Sequence, residues 1–133
     1  MVQHVYEEAD QLVISDLYRR LRKVLNAEEQ PILIYLDDKH KVCNQKFAEM
    51  LGYGSAHECS GSSGFLESLV NDEASRNAFM EAYWLAINNM NAVGLDVTWR
   101  TKDNLKLKTS MVMVPMEYEG HILLIQFVIE IKD

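Results

Sequence analysis

Several side chains that act as nucleophiles or bases in enzymes lie close together in one polar segment. They are His57, Cys59, Ser60 and Ser63. Proximity in sequence is not a catalytic arrangement, which needs a base within hydrogen-bonding reach of the nucleophile. Residues 61–64 read GSSG, which lacks the G-x-S-x-G spacing of a nucleophile elbow and does not follow a buried strand. We therefore predict that the protein is not an enzyme and has no catalytic residues.

The residue types that bind metals do not form a metal-binding pattern either. Asp37, Asp38 and His40 fall in a hairpin turn, where such side chains are usually solvated. Cys43 and Cys59 lie far apart and form no C-x-x-C motif, so the sequence indicates neither a zinc site nor a disulfide framework. We predict no metal site.

Composition and charge exclude further classes of protein. The chain has 133 residues, enough for one core, and 48% of them are hydrophobic. A net charge of −7 argues against a nucleic-acid surface, which needs a basic patch. No apolar run approaches the roughly 20 residues of a membrane span, and the N-terminus lacks the apolar core of a secretory signal. We expect a soluble cytoplasmic protein that binds neither nucleic acid nor a membrane.

The elements that would position any functional side chain begin with an amphipathic helix in residues 1–30. An apolar stripe at helical spacing predicts it, formed by Ile14, Leu17, Leu21, Val24 and Leu25. Pro31 disfavours helical geometry at Gln30 and marks the boundary. The stripe must be covered, either by the domain's own sheet or by a second copy of the chain. Both alternatives stay open.

A hairpin and several helices follow. Ile32–Leu36 and Lys41–Cys43 are β-like, and Asn44 suits the N-cap of a short helix that Gly52 ends. Residues 65–70 form a short apolar helix candidate, and Asn71 or Asp72 is placed to cap a longer helix that runs to about Asn89.

Three strands complete the chain, and both faces of their sheet are predicted to be covered. Leu95–Arg100 alternates, Leu105–Val114 forms a second strand that Pro115 closes, and His121–Ile131 forms the third. The third strand is apolar on both faces. An antiparallel sheet with one face in water would alternate more cleanly, so both faces are predicted to be covered. We predict that Ile125 and Phe127 face the helices, while Leu124 and Val128 face outward.

Residues 31–131 resemble a PAS domain, and this is the sequence's strongest indication of fold. PILIYLDDKHKV resembles the opening hairpin, and NQKFAEMLGYGSAHE is similar to the N-x-x-F-x-x-(M/L)-(L/T)-G-(Y/F) run of that family. LVNDEAS and WRTKDN resemble later segments at the expected spacing. The resemblance implies an α+β fold, with a five-stranded antiparallel sheet, helices on one face and the N-terminal helix in addition. It assigns residues 31–133 to the PAS domain.

The resemblance also implies where a ligand would lie, between the helices and the sheet. The candidate pocket residues are Phe65, Leu69, Phe79, Tyr83, Ile87, Trp99, Met111, Met113, Ile125 and Phe127. Such a pocket would be mostly apolar, with the Tyr83 hydroxyl and the Trp99 indole among its few polar atoms. The alternative is that these side chains fill the space themselves.

Two cofactors found in PAS domains are not expected here. LOV-type flavin domains carry an Asn-Cys-Arg-Phe-Leu-Gln motif, whereas the nearest stretch, residues 62–67, reads SSGFLE and has no cysteine. Haem-binding PAS domains use a histidine on the long helix, but residues 72–89 contain none. The cofactor therefore stays unknown.

The resemblance implies one of two functions. The first is a sensor that binds a small ligand or relays a signal through a dimer interface to a partner or output domain. The alternative is an interaction or dimerisation module without a ligand. Both predict a homodimer, with a candidate interface formed by Ile14, Leu17, Leu21, Leu124 and Val128. Many PAS domains close with Asp-Ile-Thr before an effector, whereas this chain has EIKD, which leaves open both a fragment of a longer sensor and a free-standing PAS protein.

Overall fold

The computed structural model describes residues 2–27, 29–37, 40–60, 69–70 and 72–132, with side chains from Leu12 onward except that of Ser60. The helices are α1 (Val2–Ala27), α2 (Gln45–Met50), α3 (Ala56–Ser60) and α4 (Glu73–Asn89). The strands are β1 (Ile32–Tyr35), β2 (Lys41–Cys43), β3 (Val93–Arg100), β4 (Lys106–Tyr118) and β5 (His121–Lys132). They form one antiparallel sheet in the order β2-β1-β5-β4-β3.

The predicted caps are confirmed where the structure describes them. The side chain of Asp72 accepts a hydrogen bond from the Ser75 amide at 2.7 Å and so begins α4. Gly52 takes a left-handed φ of +85° just after α2. The turn between β4 and β5 places Glu119 and Gly120 at φ +48° and +79°, as a tight hairpin requires.

Two apolar layers lie on the two faces of the sheet. The inner layer joins the sheet to α2, α3 and α4, and it includes Phe47, Cys59 and Phe79. The outer layer joins the sheet to α1, where Ile14 and Leu17 are buried. The α+β class and the five-stranded sheet are confirmed. The apolar stripe of α1 packs on the chain's own sheet, except for Val24, which is exposed.

The predicted faces of β5 are wrong. Leu124 and Val128 lie in the inner layer, whereas Ile125 and Phe127 pack with α1 in the outer layer. Both faces of β5 are apolar, so the sequence pattern alone does not determine which face meets the helices. The outer face needs apolar side chains as well, since α1 covers it.

Pro115 does not end its strand as predicted. It pairs with Leu124 of β5, and β4 continues to Tyr118. Val93, the first residue of β3, pairs with Met113, so β4 has already passed the end of β3 at Pro115. A proline is tolerated there because one side of the strand has no neighbour to receive an amide hydrogen bond.

Asn44 connects four segments of the chain from a fully buried position. Its side-chain oxygen accepts from the amides of Phe47 and Ile32, both at 2.9 Å. Its side-chain nitrogen donates to the carbonyls of Leu25 and Gln30, also at 2.9 Å each. The N-cap role was predicted, but the side chain also fixes the end of α1 and the start of β1.

Candidate functional site

The candidate pocket lies in the inner layer, where α4 packs mainly against β3 and β4. Most of the predicted pocket residues are found there. Leu69, Phe79, Trp99, Met111 and Met113 are buried in the inner layer, and Tyr83 and Ile87 pack against it. Ile125 and Phe127 contact the outer layer instead, and Phe65 lies outside the described residues.

The two predicted polar groups of the pocket are already engaged within the chain. The Trp99 indole nitrogen donates to the Thr109 hydroxyl at 3.0 Å, and that hydroxyl donates to the Val97 carbonyl at 2.9 Å. The Tyr83 hydroxyl donates to the Leu36 carbonyl at 3.4 Å, and burial raises the pKa of this phenol. Neither group needs a ligand to satisfy its hydrogen bonds.

Aromatic side chains occupy much of the space between the sheet and the helices. The rings of Tyr35 and Phe79 meet edge to face with centroids 5.3 Å apart, and those of Phe47 and Trp99 do so at 5.4 Å. This is a favourable geometry for aromatic pairs in a core. These contacts show that aromatic rings fill part of this space with one another.

Gln126 is the functional candidate that the sequence did not identify. It lies on the central strand β5, and its cross-strand neighbours are Leu33 of β1 and Met113 of β4. Both neighbours belong to the inner layer, and directly paired residues share a face, so the Gln126 side chain points toward the helices. The residue is 0% exposed.

The carboxamide of Gln126 has no hydrogen-bond partner within the described structure. Among the side chains described, it alone is buried with both its nitrogen and its oxygen unpaired. Native structures pair nearly all buried polar groups, so an unpaired one calls for a reason. A carboxamide that offers two donors and an acceptor in an apolar layer can orient a small molecule with complementary polar atoms.

The sequence held one signal for Gln126. Leu124 and Val128 lie two residues to either side of it, so a glutamine interrupts an apolar run on one face of a strand. The predicted orientation of β5 placed Gln126 on the outward face, away from the helices, so the residue was not among the candidate pocket residues.

The predicted dimer-interface residues are used within one chain. Ile14 and Leu17 are buried against the sheet, and Leu21 packs against the same layer. Leu124 and Val128 are buried on the helix side. The five side chains do not form one surface, and homodimerisation itself stays a prediction.

The residues considered for catalysis and metal binding are dispersed, with one exception. His57 is exposed whereas Cys59 is buried, and Ser63 lies outside the described residues. The exception is His40, whose ring nitrogen Nδ1 lies 2.8 Å from the Asp37 carboxylate. The prediction that His40 is solvated is wrong, because its side chain is buried. The His40 backbone amide also donates to the Asp37 carboxylate at 2.8 Å, and the two contacts order the hairpin.

The described part of the chain has neither a metal-binding cluster nor a helix that could span a membrane. Within it, no three histidine, cysteine, aspartate or glutamate side chains come together in a way that would hold a metal ion. No helix there combines the length and the apolar character needed to cross a membrane.

Known proteins resemble this chain in structure and not detectably in sequence. No protein-family model and no curated protein matches it. A PAS domain from a two-component sensor histidine kinase superposes with a TM-score of 0.65 at 16% identity, over 89% of this chain and 99% of that one. The PAS domain of an HTR-like protein from Haloarcula marismortui gives 0.61 at 16% identity, over 86% and 92%.

A third structure agrees with these two. The PAS domain of nitrogen regulation protein NR(II) from Vibrio parahaemolyticus gives a TM-score of 0.60 at 18% identity, over 80% of this chain and 93% of that one. Identities this low establish the fold and nothing more specific. The sheet order, the inner helices and these superpositions show that the chain has the fold of PAS domains.

Proposed function

We propose that this chain is a signal-sensing module that binds a small molecule between the helix-facing side of its sheet and the helices. The observation that carries the proposal is the buried, unpaired carboxamide of Gln126 at the centre of the sheet. The PAS fold supports it, since two of the superposed domains come from proteins described as a sensor histidine kinase and a nitrogen regulation protein.

Burying an unpaired amide costs about 1 to 3 kcal/mol, whereas leucine or methionine would fit the apolar surroundings at no such cost. A ligand that hydrogen-bonds to Gln126 would recover this free energy on binding. It would have a largely apolar body, because Leu33, Met113 and Leu124, the neighbours of Gln126 on the same face of the sheet, are apolar. It would also carry at least one carbonyl, hydroxyl or amide group, which complements the carboxamide.

A response to the ligand would pass through β5. Gln126 points inward, whereas its neighbours Ile125 and Phe127 point outward and pack with α1. A ligand that shifts β5 by its contact with Gln126 therefore changes the surface on which α1 rests. Ligand binding would then shift the population of α1 between docked and undocked states, which a partner or output domain reads.

The test compares the wild type with Gln126→Leu. Protein purified under native conditions is analysed by native mass spectrometry, and small molecules released on denaturation are identified by chromatography and mass spectrometry. The wild type should carry a small molecule that Gln126→Leu lacks. Leu123→Met, on the same strand but buried in the outer layer, is the control and should retain it. A wild type that carries no small molecule, and does not bind any member of a metabolite library by thermal shift, contradicts the proposal.

A second candidate function is an interaction module that forms a homodimer or binds another protein. Exposed apolar side chains favour it, since Trp84 on α4 is 55% exposed and Leu12 on α1 is 69% exposed. Light scattering after size exclusion tests it, with Trp84→Glu and Leu12→Glu as variants. Leu105→Glu, at an exposed leucine between β3 and β4, is the control. A wild type that is monomeric at every concentration measured excludes the homodimer.

A further inference from the structure

The fold brings together two cysteines that the sequence separates. Fifteen residues lie between Cys43 and Cys59. Cys43 is the last residue of β2, Cys59 lies in α3, and both are 1% exposed in the inner layer. Both carry reduced thiols in this structure. The Cys43 thiol donates to the carbonyl of Ala56, the first residue of α3, at 3.7 Å. Cys59 lies one turn further along α3 than Ala56, which places its thiol near that of Cys43.

The pKa values of the two thiols shift in opposite directions. The thiols hydrogen-bond to each other, and this contact lowers the pKa of Cys59 and raises the pKa of Cys43. The ammonium group of Lys41, two residues before Cys43 and itself buried, lowers the pKa of Cys59 further and offsets only a small part of the rise at Cys43. Cys59 is therefore the better nucleophile of the pair, and Cys43 is the thiol that keeps its proton.

We propose that Cys43 and Cys59 form a redox site, which closes into an internal disulfide when the chain is exposed to hydrogen peroxide. The Cys59 thiolate attacks one oxygen of the peroxide, the O–O bond breaks, and hydroxide leaves to give a sulfenic acid. The Cys43 sulfur then attacks the Cys59 sulfur, the S–O bond breaks, and the Cys43 proton leaves with the hydroxide as water. In total two thiols and one peroxide give one disulfide and two waters, and two electrons pass from sulfur to oxygen.

Burial selects a small oxidant and does not prevent the reaction. Hydrogen peroxide is little larger than water, and α3 is a helix of five residues, which opens at a low free-energy cost compared with global unfolding. Bulky disulfides such as oxidised glutathione would react more slowly, because the mixed disulfide that they form does not fit the inner layer.

The disulfide would act on the part of the chain that holds α1. Cys43 directly precedes Asn44, whose side chain hydrogen-bonds to the carbonyls of Leu25 and Gln30 at the end of α1. A covalent bond from Cys43 to α3 therefore constrains the residue that anchors the N-terminal helix. This redox site is separate from the ligand site proposed at Gln126, and either stands without the other.

The test treats the native wild-type chain with hydrogen peroxide, quenches it in acid, and counts the thiols that a maleimide labels after denaturation. Both thiols should be lost together. Trypsin cuts after Lys41, Lys46 and Arg76, so the disulfide joins the peptide of residues 42–46 to that of residues 47–76. The longer peptide contains Met50, so the linked pair is sought both with and without one added methionine oxygen.

Two variants separate the roles of the cysteines. Cys43→Ser should convert Cys59 into oxygen adducts at peroxide doses that oxidise the wild type, because no resolving thiol is present. Cys59→Ser should keep its Cys43 thiol at the same doses. The proposal is overturned if both wild-type thiols remain labelled after a dose that oxidises free cysteine. It is also overturned if they are lost only as oxygen adducts or as disulfides between chains. The wild-type peptide map decides these outcomes even if a variant fails to fold.

Discussion

Two carboxamide side chains, Asn44 and Gln126, are both fully buried in this molecule and have opposite hydrogen-bonding states. Asn44 makes four hydrogen bonds, each 2.9 Å long, to backbone groups of α1, α2, β1 and the segment before β1. Neither polar atom of Gln126 has a partner in the described structure.

The difference separates a group that builds the fold from one that weakens it. A buried amide with every donor and acceptor paired specifies which backbone segments meet, and so contributes to a unique structure. A buried amide with none paired costs free energy and specifies nothing about the fold. Asn44 is therefore explained by structure, whereas Gln126 calls for a functional reason.

The largest effect is expected at Asn44. The substitution Asn44→Ala leaves up to four backbone groups without partners, each at about 1 to 3 kcal/mol before relaxation, so we expect a loss of roughly 4 kcal/mol. Urea unfolding followed by circular dichroism measures this loss. Asn26→Ala is the matched control, because Asn26 also accepts a hydrogen bond from a backbone amide, that of Gln45 at 3.0 Å, but at an exposed position.

The control should lose about 1 kcal/mol or less, since water replaces the missing partner. Equal losses in Asn44→Ala and Asn26→Ala would show that water reaches the Asn44 position in solution. The contrast between Asn44 and Gln126 would then lose its basis.

A somewhat smaller effect is expected on closing the Cys43–Cys59 disulfide. A loop of fifteen residues is closed, which stabilises the chain by up to about 3 kcal/mol if the native geometry fits the bond. Urea unfolding of the oxidised and reduced wild type measures the difference. Hydrogen exchange should slow around Asn44, next to the bond, and stay unchanged around Gln126 on β5. Faster exchange around Asn44 would show that the disulfide strains the anchor instead of constraining it.

Substitution of Gln126 should raise the stability of the chain, whereas substitution of Asn44 lowers it. Gln126→Leu replaces the unpaired amide with an apolar side chain of similar size, so the ligand-free chain should gain about 1 kcal/mol of stability. Urea unfolding of the ligand-free proteins measures the gain. Met113→Leu, a volume-conserving change at the paired position, controls for repacking of the inner layer. A loss of stability in Gln126→Leu alone would mean that the amide is paired in solution.

The sequence predicted Asn44 in part and missed Gln126, and the reason is physical. The cap of α2 depends on Asn44 and the next three residues, so local sequence carries that signal. The bonds from Asn44 to Leu25 and Gln30 depend on where α1 docks, which is set by tertiary packing.

The direction in which Gln126 points depends on tertiary packing as well. It follows from the choice between two apolar faces of β5, and that choice is settled only by the position of α1. The meeting of Cys43 with Cys59 required α3 to fold back on β2, which no spacing rule anticipates. Element order and capping were therefore predictable, whereas the site was not.

The smallest change in stability is expected at a third polar contact, which joins α1 to β4 at a position reached by water. The Tyr118 hydroxyl donates to the Asp16 carboxylate at 2.6 Å, and Arg20 lies 3.0 Å from the same oxygen. The hydrogen bond from Tyr118, with those from Arg19 and Arg20, lowers the pKa of Asp16 from 3.8 to about 2. A depressed carboxyl pKa stabilises the folded state above the unfolded pKa, and this contribution is lost as the pH falls toward the folded pKa.

Asp16→Asn should therefore be less stable than the wild type at about pH 5, and the gap should close as the pH approaches about 2. Urea midpoints at both pH values test this, and hydrogen exchange locates the change in α1. Asp96→Asn is the control, because the pKa of Asp96 is also lowered, by Ser110 and Lys132, but at the other end of the sheet. If Asp96→Asn loosened α1 equally, the effect would be one of net charge. If only Asp16→Asn loosens α1, two contacts hold the helix. One is the water-exposed contact of Asp16, which acid weakens, and the other is the buried contact of Asn44, which does not titrate.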